Sequence, residues 1–389
     1  MPDDRREEDP ASIRGKSKED IERRRVLTER ITGASLRTIG NFSITPESVS
    51  KNIENMIGTI QIPVGVAGPL KIKGEYADGD YYVPLATTEG ALVASVNRGM
   101  RIIALSGGAK AMVLQDNMTR APGFRTGSIS EARELVRWVE EHYDEIKEKA
   151  EETTSHGKLL KIDPFVVGRH VFLRFYYHTG EAMGMNMATI ASEAACNFIA
   201  RETGATLVTM SGNMCVDKKP SAMNLILGRG KHVQAEVIIP ETVVAEKLHT
   251  TPSRIVDVSY IKNFLGSARS GALGFNAQYA NIVAATFLAT GQDAAHVVEG
   301  SAGITTVEMT KSGDLYVAVS LPSLPVGTVG GGTRVDTQRE ALSIMGCSGE
   351  NSAKKLAEII GGAVLAGEIS LMGAQAAGDL GKAHKSLGR

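Results

Sequence analysis

Residues 165–177 read FVVGRHVFLRFYY, and this stretch with its flanks decides the fold. β-Branched and aromatic side chains fill it, which favours strands. Before it, a strongly charged helix is predicted from a capping Ser130 to roughly Glu152. After it, a helix of small residues is predicted over 186–203. A charged helix, strands and a second helix indicate a compact α+β insert.

The sequence around this insert is apolar and rich in alanine and glycine on both sides. Strands are predicted at 233–239 and 315–321, and helices at 276–290 and from Asn351 to about Ala377. Alanine and glycine cover much of that last helix, which allows a close approach of other backbones.

We therefore predict an α+β fold in which a small domain is inserted into a large central mixed domain. The expected boundaries are an N-terminal helical arm at 1–50, the large domain at 51–121 and 209–376, the insert at 122–208 and a mobile C-terminal flap at 377–389.

Composition bounds the partners of the chain. Its 389 residues suffice for two or three domains, and a hydrophobic content of 42% supports a packed core. A net charge of -1 argues against binding to nucleic acid or to an anionic membrane. The apolar stretch beginning at Ile359 is interrupted by Glu368, so no membrane span is expected.

The three cysteines, Cys196, Cys215 and Cys347, are widely separated and odd in number. They predict neither a disulfide framework nor a zinc site, and no other metal site is predicted. A reducing cytoplasm is the expected compartment.

Four polar clusters stand in otherwise apolar, glycine-rich surroundings: 87–90 (TTEG), 217–220 (DKKP), 291–293 (GQD) and 382–384 (KAH). Together they supply two acids, a base and an ammonium, which is the inventory for polarising a carbonyl and moving protons. An unpaired buried charge is costly, so these clusters meet in the fold or lie exposed.

Each cluster also has a plainer interpretation when taken alone. Lys218 before Lys219-Pro220 is typical of a solvated turn, Glu89 of a helix cap, and Asp293 of a polar residue after a helix. Position alone makes His384 a tail residue. The run 330–332 (GGG) is a sharp turn or an anion-binding loop, and neither a Gly-x-Gly-x-x-Gly nor a Walker motif occurs.

Four longer motifs decide between these interpretations: 54–58 (ENMIG), 62–70 (IPVGVAGPL), 181–186 (EAMGMN) and 327–333 (GTVGGGT). In this order, from about Glu54 to His384, the chain resembles the soluble catalytic portion of hydroxymethylglutaryl-CoA reductases. Its pattern is similar to the class I branch in a soluble, archaeal-like form without a membrane domain.

The resemblance implies a four-electron reduction of (S)-3-hydroxy-3-methylglutaryl-CoA to (R)-mevalonate and CoA with two NADPH. By the same resemblance the catalytic residues are Glu89, Lys218, Asp293 and His384. The substrate-binding residues it implies are Ser95, Asn97, Arg98, Arg120, Ser211, Lys219, Lys262 and Asn281. The cofactor-binding residues it implies are Glu181, Met183, Gly184, Met185, Asn186, Gly330 and Gly331.

The resemblance also implies that the small domain is a ferredoxin-like α/β sandwich and that active sites form between the subunits of a homo-oligomer. Two departures stand out. The family usually has Asp where this chain has Glu181, and no arginine occurs at Thr154-Ser155 to meet a 2′-phosphate. Lys158, Lys161 or Arg169 are the candidates to compensate, so NADPH is expected ahead of NADH.

Other functions stay open on the residues themselves. One is a reductase of a different acyl-CoA thioester, and another is a non-catalytic CoA-binding protein. A third, acyl transfer with Cys215 as nucleophile, lacks a histidine nearby in sequence.

Overall fold

The structure, a computed structural model, describes residues 9–378 of the chain. The strands are β1 (Val64–Gly74), β2 (Asp78–Ala86), β3 (Ala109–Arg120), β4 (Gly123–Arg125), β5 (Lys158–Val167), β6 (His170–His178), β7 (Thr206–Thr209), β8 (Gly230–Ile239), β9 (Ile304–Met309) and β10 (Leu315–Leu324). All but the first two residues of the predicted flap, 377–389, lie outside the described residues, and so does His384.

The α-helices are α1 (Lys18–Thr32), α2 (Pro46–Val49), α3 (Leu92–Leu105), α4 (Ile129–Glu141), α5 (Tyr143–Glu151), α6 (Met185–Thr203), α7 (Ala222–Leu227), α8 (Glu241–Leu248), α9 (Pro252–Val258), α10 (Ser267–Ser270), α11 (Tyr279–Thr290), α12 (Val297–Gly300), α13 (Asp336–Ile344) and α14 (Ser352–Ala377). A π-helix covers Ser259–Gly266, and 3-10 turns cover Pro10–Ser12, Ala294–His296 and Gly331–Arg334.

The strands join in one mixed sheet of order β7-β4-β6-β3-β8-β10-β9, with β1 and β2 branching from β3 and with β5 on β6. Only β1 and β3 pair in parallel; the other described pairs are antiparallel. The predicted strands at 233–239 and 315–321 are confirmed, since they lie inside β8 and β10.

Strand β3 belongs to both halves of this sheet. Residues 110–117 pair with β8, with a register shift between Val113 and Gln115, and residues 118–120 pair with β6. The same backbone therefore carries hydrogen bonds from one half of the molecule into the other.

Each half of the sheet covers its own hydrophobic cluster. One cluster joins β1, β2, β8 and β10 to helices α3, α11 and α14. The second joins β5 and β6 to α4, α5 and α6. The small-residue helix predicted over 186–203 is confirmed by α6.

Helix α14 is the central element of the first cluster. It is long and apolar enough to cross a membrane by length and composition, yet 94% of its most apolar 18-residue window is buried inside the fold. That burial is the pattern of a core helix. The predicted bounds of this helix, from Asn351 to about Ala377, are confirmed.

The predicted cap at Ser130 is wrong. Helix α4 begins after Ser128, whose Oγ accepts a hydrogen bond from the Glu131 N–H at 3.2 Å. The Glu131 carboxylate in turn accepts from the Gly127 N–H. Ser128 lies three residues before Glu131, the spacing of a capping pair, whereas Ser130 lies two positions later and is already the second residue of α4.

The first described helix, α1, has a capping box formed by Ser17 and Asp20. Its Arg24 is buried and donates to the carbonyls of Ile13, Gly15 and Met56. The segment is thereby packed on its own small apolar cluster rather than solvated on all sides.

Two buried carboxylates of α14 hold chain turns. Glu358 accepts the main-chain N–H groups of Glu75, Tyr76 and Ala77 in the turn between β1 and β2. Ten residues on, Glu368 accepts from the turn before α11. Burial raises the pKa of both carboxyls, although the hydrogen bonds oppose that shift.

Close packing of α3 on α14 generates a first prediction. A Cβ on Gly99 would lie 1.9 Å from the Ala366 carbonyl oxygen, so the helices have no room for it. We expect Gly99→Ala to lower the free energy of unfolding by about 1–3 kcal/mol through overpacking, despite the better helix propensity of alanine. Urea denaturation followed by circular dichroism measures the change.

The matched control is Arg101→Ala, because Arg101 is an exposed residue of the same helix. Its effect should stay within about 0.5 kcal/mol. A Gly99→Ala protein as stable as the unaltered one would show that the two helices separate freely.

Candidate functional site

Lys218 lies in the loop between β7 and α7, which is bent by backbone conformations that few residues adopt. Asn213, Val216 and Lys218 all have positive φ angles, of 63°, 49° and 57°. Such conformations are unfavourable for residues with a side chain and persist only where the surroundings enforce them. Here Thr119 and Arg174 bind carbonyls of the loop.

The loop presents the Lys218 ammonium to the carboxylate of Asp293, which follows helix α11. Lys218 Nζ lies 2.7 Å from Asp293 Oδ2, and both side chains are partly exposed. Asp293 also accepts the Ala295 N–H at 3.1 Å. Two of the four predicted catalytic residues are therefore joined directly.

The pair shifts the acidity of both groups. The hydrogen bond that Lys218 donates to Asp293 raises the pKa of Lys218 against the opposing effect of burial. Burial favours the neutral form of Asp293, but the hydrogen bonds from Lys218 and Ala295 outweigh it and lower the pKa of Asp293. Lys218 is thus held as a cation at the edge of a cavity.

A cluster of charged side chains lies directly beneath this ion pair. Arg229 is fully buried, with Nη2 2.9 Å from Asp217 Oδ1 and Nη1 2.8 Å from Glu299 Oε1. His296 Nδ1 lies 2.6 Å from the same Glu299 oxygen. His296 Nε2 lies 3.7 Å from Asp293 Oδ2.

The ligand atoms of Asp217, His296 and Glu299 lie within 4.8 Å of one another, a spacing that would suit a metal ion. The Arg229 guanidinium bonds to both carboxylates, and the Lys218 N–H donates to Glu299 at 3.2 Å. The cationic position is therefore filled by a side chain of the protein.

A cavity of about 810 Å³ opens above the pair. Its walls bring together many of the predicted residues: Arg120, Met183, Gly184, Met185, Asn186, Lys218, Asp293, Gly330 and Gly331. The Nε of Arg120 is buried without a hydrogen-bond partner among the described residues. An arginine so placed is suited to an acidic ligand.

Three distant motifs converge at this cavity because their backbones touch. A Cβ on Gly291 would lie 2.3 Å from the Gly332 carbonyl oxygen, so both turns need glycine. Gln292 Oε1 accepts the Gly327 N–H at 2.9 Å. The Glu181 carbonyl accepts the N–H groups of Thr328 and Val329.

Other predicted residues form contacts away from the Lys218–Asp293 pair. The Glu89 carboxylate accepts from Asn281 Nδ2 at 3.3 Å. Ser95 and Arg98 both bond to Ser370 on α14. Further contacts are Asn97 with the Gly68 N–H, Lys219 Nζ with the Asp217 carbonyl, and Ser211 Oγ with Cys215 Sγ at 3.8 Å.

The lysines proposed to compensate for the absent arginine are already paired. Lys158 Nζ lies 2.9 Å from Glu151 and Lys161 Nζ lies 2.8 Å from Asp163. Arg169 lines a separate cavity of about 620 Å³ that holds none of the predicted site residues. Contacts to a 2′-phosphate from these side chains stay a prediction.

Sequence reasoning missed Arg229, His296 and Glu299. The last two follow Asp293 at spacings of three and six residues, the period at which side chains align along a 3-10 helix. That spacing could have identified them from the sequence, because it places the side chains of His296 and Glu299 on the same side of the chain as Asp293.

The sequence of the chain is similar to those of known proteins. A family model described as hydroxymethylglutaryl-coenzyme A reductase matches residues 20–389. The 3-hydroxy-3-methylglutaryl-coenzyme A reductase of Methanocaldococcus jannaschii is 58% identical over 380 residues, covering 96% of this chain and 94% of that one. The enzyme of that name from Methanothermobacter thermautotrophicus is 57% identical over 368 residues, covering 94% and 92%.

The fold also resembles a solved structure. A class II 3-hydroxy-3-methylglutaryl-CoA reductase from Streptococcus pneumoniae, bound to NADPH in open conformations, matches with a TM-score of 0.70. The match covers 91% of this chain and 96% of that one at 19% sequence identity. At that identity the likeness shows the fold alone.

The side chain of Glu181 yields a second prediction. Its carboxylate accepts the N–H groups of Asn351 and Ala353 at 2.8 and 2.7 Å and the Ser352 hydroxyl at 3.1 Å. It therefore caps the N-terminus of α14, where a negative charge is favoured. We expect Glu181→Ala to lower the free energy of unfolding by about 0.5–2 kcal/mol.

Thermal unfolding measures this change against Glu350→Ala, which alters an exposed glutamate next to the same helix end. The control should have little effect. Equal stability of the two variants would contradict the capping role.

Proposed function

The chain belongs to the hydroxymethylglutaryl-coenzyme A reductase family, and on that premise we propose that it reduces (S)-3-hydroxy-3-methylglutaryl-CoA to (R)-mevalonate and CoA with two NADPH. This reaction belongs to the mevalonate route to isoprenoids. One observation carries the assignment of the site: the Lys218–Asp293 pair stands at a cavity whose walls also hold both glycine-rich motifs.

The chemistry calls for a fixed cation. Each of the two reductions places negative charge on the same oxygen, first in forming a hemithioacetal and then in reducing the aldehyde to the alcohol. Lys218, kept charged by Asp293, meets that oxygen and stabilises the charge as it develops. Asp293 holds the ammonium in place.

Two further groups move protons in the proposed mechanism. Glu89, which bonds to Asn281 and does not line the cavity with Lys218, is proposed to supply a proton to the reduced oxygen when two subunits complete the site. His384 protonates the CoA sulfur as the hemithioacetal breaks down, because a thiol with an ordinary pKa of about 8.5 leaves more readily protonated at neutral pH. His384 lies outside the described residues.

Substrate and cofactor would occupy different walls of the site. Arg120, with Ser211, Lys219, Lys262 and Asn281, is proposed to hold the acyl chain, and Ser95, Asn97 and Arg98 the CoA portion. The unpartnered Nε of Arg120 supports the first assignment. NADPH, when bound, supplies the hydride.

The proposed cofactor wall consists of the segment 181–186 and Gly330-Gly331. Open space surrounds the Cβ positions of Gly330 and Gly331, so a ligand has access to their backbone amides. Met183, Gly184, Met185 and Asn186 line the same cavity. The Glu181 carboxylate is occupied by α14, so its proposed contribution is the backbone of the loop.

We also propose the domain division given by the sequence, with residues 122–208 as a ferredoxin-like insert, 1–50 as an arm and 377–389 as a flap. The insert has strand order β7-β4-β6-β5 with antiparallel neighbours. Its chain order is strand, helices, strand, strand, helix, strand, which supports that topology.

A homo-oligomer with active sites between subunits completes the proposal. Lys262 lies on the π-helix among exposed apolar side chains, with Ile261 64% and Phe264 55% exposed. It does not line the cavity that holds Lys218. An apolar patch around a substrate-binding lysine favours a second copy of the chain as its partner.

The class I, archaeal-like assignment and a cytoplasmic location are proposed as well. Identities of 57–58% to two archaeal reductases, against 19% to the class II structure, support the class. The buried free thiols of Cys196, Cys215 and Cys347 suit a reducing compartment.

The direct test mixes the protein with NADPH and 3-hydroxy-3-methylglutaryl-CoA. Loss of NADPH absorbance and release of free thiol are both expected, with NADH used more slowly. A different acyl-CoA reduced faster would identify another thioester reductase, and binding without turnover would identify a CoA-binding protein.

Replacing Lys218 tests the oxyanion assignment. Loss of a preorganised group that stabilises an oxyanion costs about 10²–10³ in kcat, and Lys218→Ala should lose at least that with little change in binding of the CoA ester. Lys110→Ala removes an exposed lysine of β3 outside the cavity and serves as control. If Lys218→Ala has the same kcat as the control, Lys218 does not stabilise the oxyanion.

Replacing His384 separates two half reactions. CoA departs during reduction of the thioester but not during reduction of free mevaldehyde. His384→Gln should therefore slow the first reaction by about 10²–10⁴ relative to the second, as expected for loss of a general acid. Equal losses on both substrates would point to folding or cofactor binding instead.

A further inference from the structure

We infer that Glu299 is a positioning residue that sets the geometry of the Lys218–Asp293 pair, an inference that rests on the proposed role of Lys218. Glu299 is fully buried on α12 and does not line the cavity among the described residues. It acts through the residues that it holds.

A single oxygen of Glu299 gathers three donors. Its Oε1 accepts the main-chain N–H of Lys218 at 3.2 Å, Arg229 Nη1 at 2.8 Å and His296 Nδ1 at 2.6 Å. These donors come from three segments: the loop after β7, the start of β8 and the turn after α11. One buried atom thus fixes the relative positions of the segments that form the site.

The contact to Lys218 falls where the chain most needs support. Lys218 has φ of 57°, in the left-handed region that residues with a side chain rarely adopt. That conformation directs the side chain toward Asp293, at an Nζ to Oδ2 distance of 2.7 Å. Without an acceptor for its N–H, the residue is free to relax to a right-handed conformation and to withdraw the ammonium.

The same carboxylate orients the buried His296 beside the other member of the pair. Nδ1 of the imidazole lies 2.6 Å from Glu299 Oε1, and Nε2 lies 3.7 Å from Asp293 Oδ2, beyond hydrogen-bond distance. Glu299 therefore holds the main chain of Lys218 directly and fixes the ring that packs next to Asp293.

Arg229 neutralises the charge of the buried Glu299 carboxylate. It donates to Glu299 and to Asp217, the residue before Lys218, and its Nη2 also contacts Met185 Sδ at 2.7 Å. Met185 belongs to the proposed cofactor loop. The network therefore connects Lys218, the cation proposed to stabilise the oxyanion, to the proposed cofactor wall. A displacement of Glu299 would shift both groups relative to the reacting atoms.

The chain provides a matched control in Glu358. That carboxylate is equally buried and also accepts three N–H groups, but it holds the turn between β1 and β2 and lines no wall of the cavity. Shortening either side chain removes the same methylene and perturbs the fold in a comparable way. Of the two, only Glu299 contacts Lys218.

The experiment compares Glu299→Asp with Glu358→Asp by steady-state kinetics, per mole of folded protein determined by circular dichroism. A displacement of about 1 Å in a reacting group costs on the order of 10² in rate. We expect Glu299→Asp to lower kcat about 10²-fold while the KM values for the CoA ester and NADPH change little. Glu358→Asp should keep the kcat of the unaltered enzyme.

Glu299→Gln is the second variant, because an isosteric amide keeps the reach of Oε1 while it removes the charge and replaces the other oxygen by an NH2 donor. A decrease in kcat of about 10-fold is expected, smaller than that of the aspartate variant. If the aspartate variant does not fold, the glutamine variant decides on the same criterion of lowered kcat at constant KM.

Three results would overturn the inference. The first is native kcat in every folded Glu299 variant. The second is an equal loss of kcat in Glu358→Asp, and the third is a rise in KM in place of a fall in kcat. Lys218→Ala shows whether the inference or the proposed function has failed. If Lys218→Ala is inactive while Glu299→Asp is fully active, the role of Lys218 stands and only the role of Glu299 is rejected.

Discussion

The geometry of the site depends on neutralising one buried guanidinium, that of Arg229. Removing an ion from water costs several kcal/mol, and opposite charges with good hydrogen-bond geometry must offset that cost. Asp217 and Glu299 supply those charges at 2.9 and 2.8 Å. Asp217 precedes Lys218 in the chain, and Glu299 accepts the main-chain N–H of Lys218. The contacts that neutralise Arg229 therefore also fix the position of the lysine.

This cation is anchored beside an interior strand of the sheet. Arg229 immediately precedes β8, which pairs with β3 and β10 near the middle of the sheet. Strand β3 continues into the second half of the molecule, and from that half the buried Arg174 donates to the carbonyls of Met214 and Gly228. The loop carrying Lys218 is thus held from both sides, and so its left-handed residues persist.

Close contact between glycines brings the remaining motifs to the same place. Gly291 and Gly332 approach so nearly that neither has room for a Cβ, and this contact sets Asp293 beside the Gly330-Gly331 turn. Glu181 then ties the third motif to α14 by capping its first turn. The approach of Gly291 to Gly332 is a backbone constraint, which is consistent with a fold shared at only 19% identity with a solved reductase.

Local patterns in the sequence determined a large part of this description. Periodicity and turn residues predicted α6, α14, β8 and β10, and the quoted motifs identified the family. Of the four polar clusters expected to meet in the fold or to lie exposed, those of Lys218 and Asp293 meet, whereas Glu89 bonds to Asn281. The capping serine was misplaced by two positions, because two serines lie close together here and only the spacing of Ser128 to Glu131 distinguishes it from Ser130, which lies inside α4.

Tertiary structure alone decided which charges share a buried environment. Glu299 lies 81 residues beyond Lys218 in the chain and 3.2 Å from its main-chain nitrogen, and no local pattern encodes that distance. In sequence, Arg229 and Glu299 are ordinary charged residues, and Glu181 is one more member of a cofactor motif. Hydrophobic periodicity and turn chemistry act over a few neighbouring residues, whereas the pairing of buried charges depends on how strands and helices distant in the chain pack together.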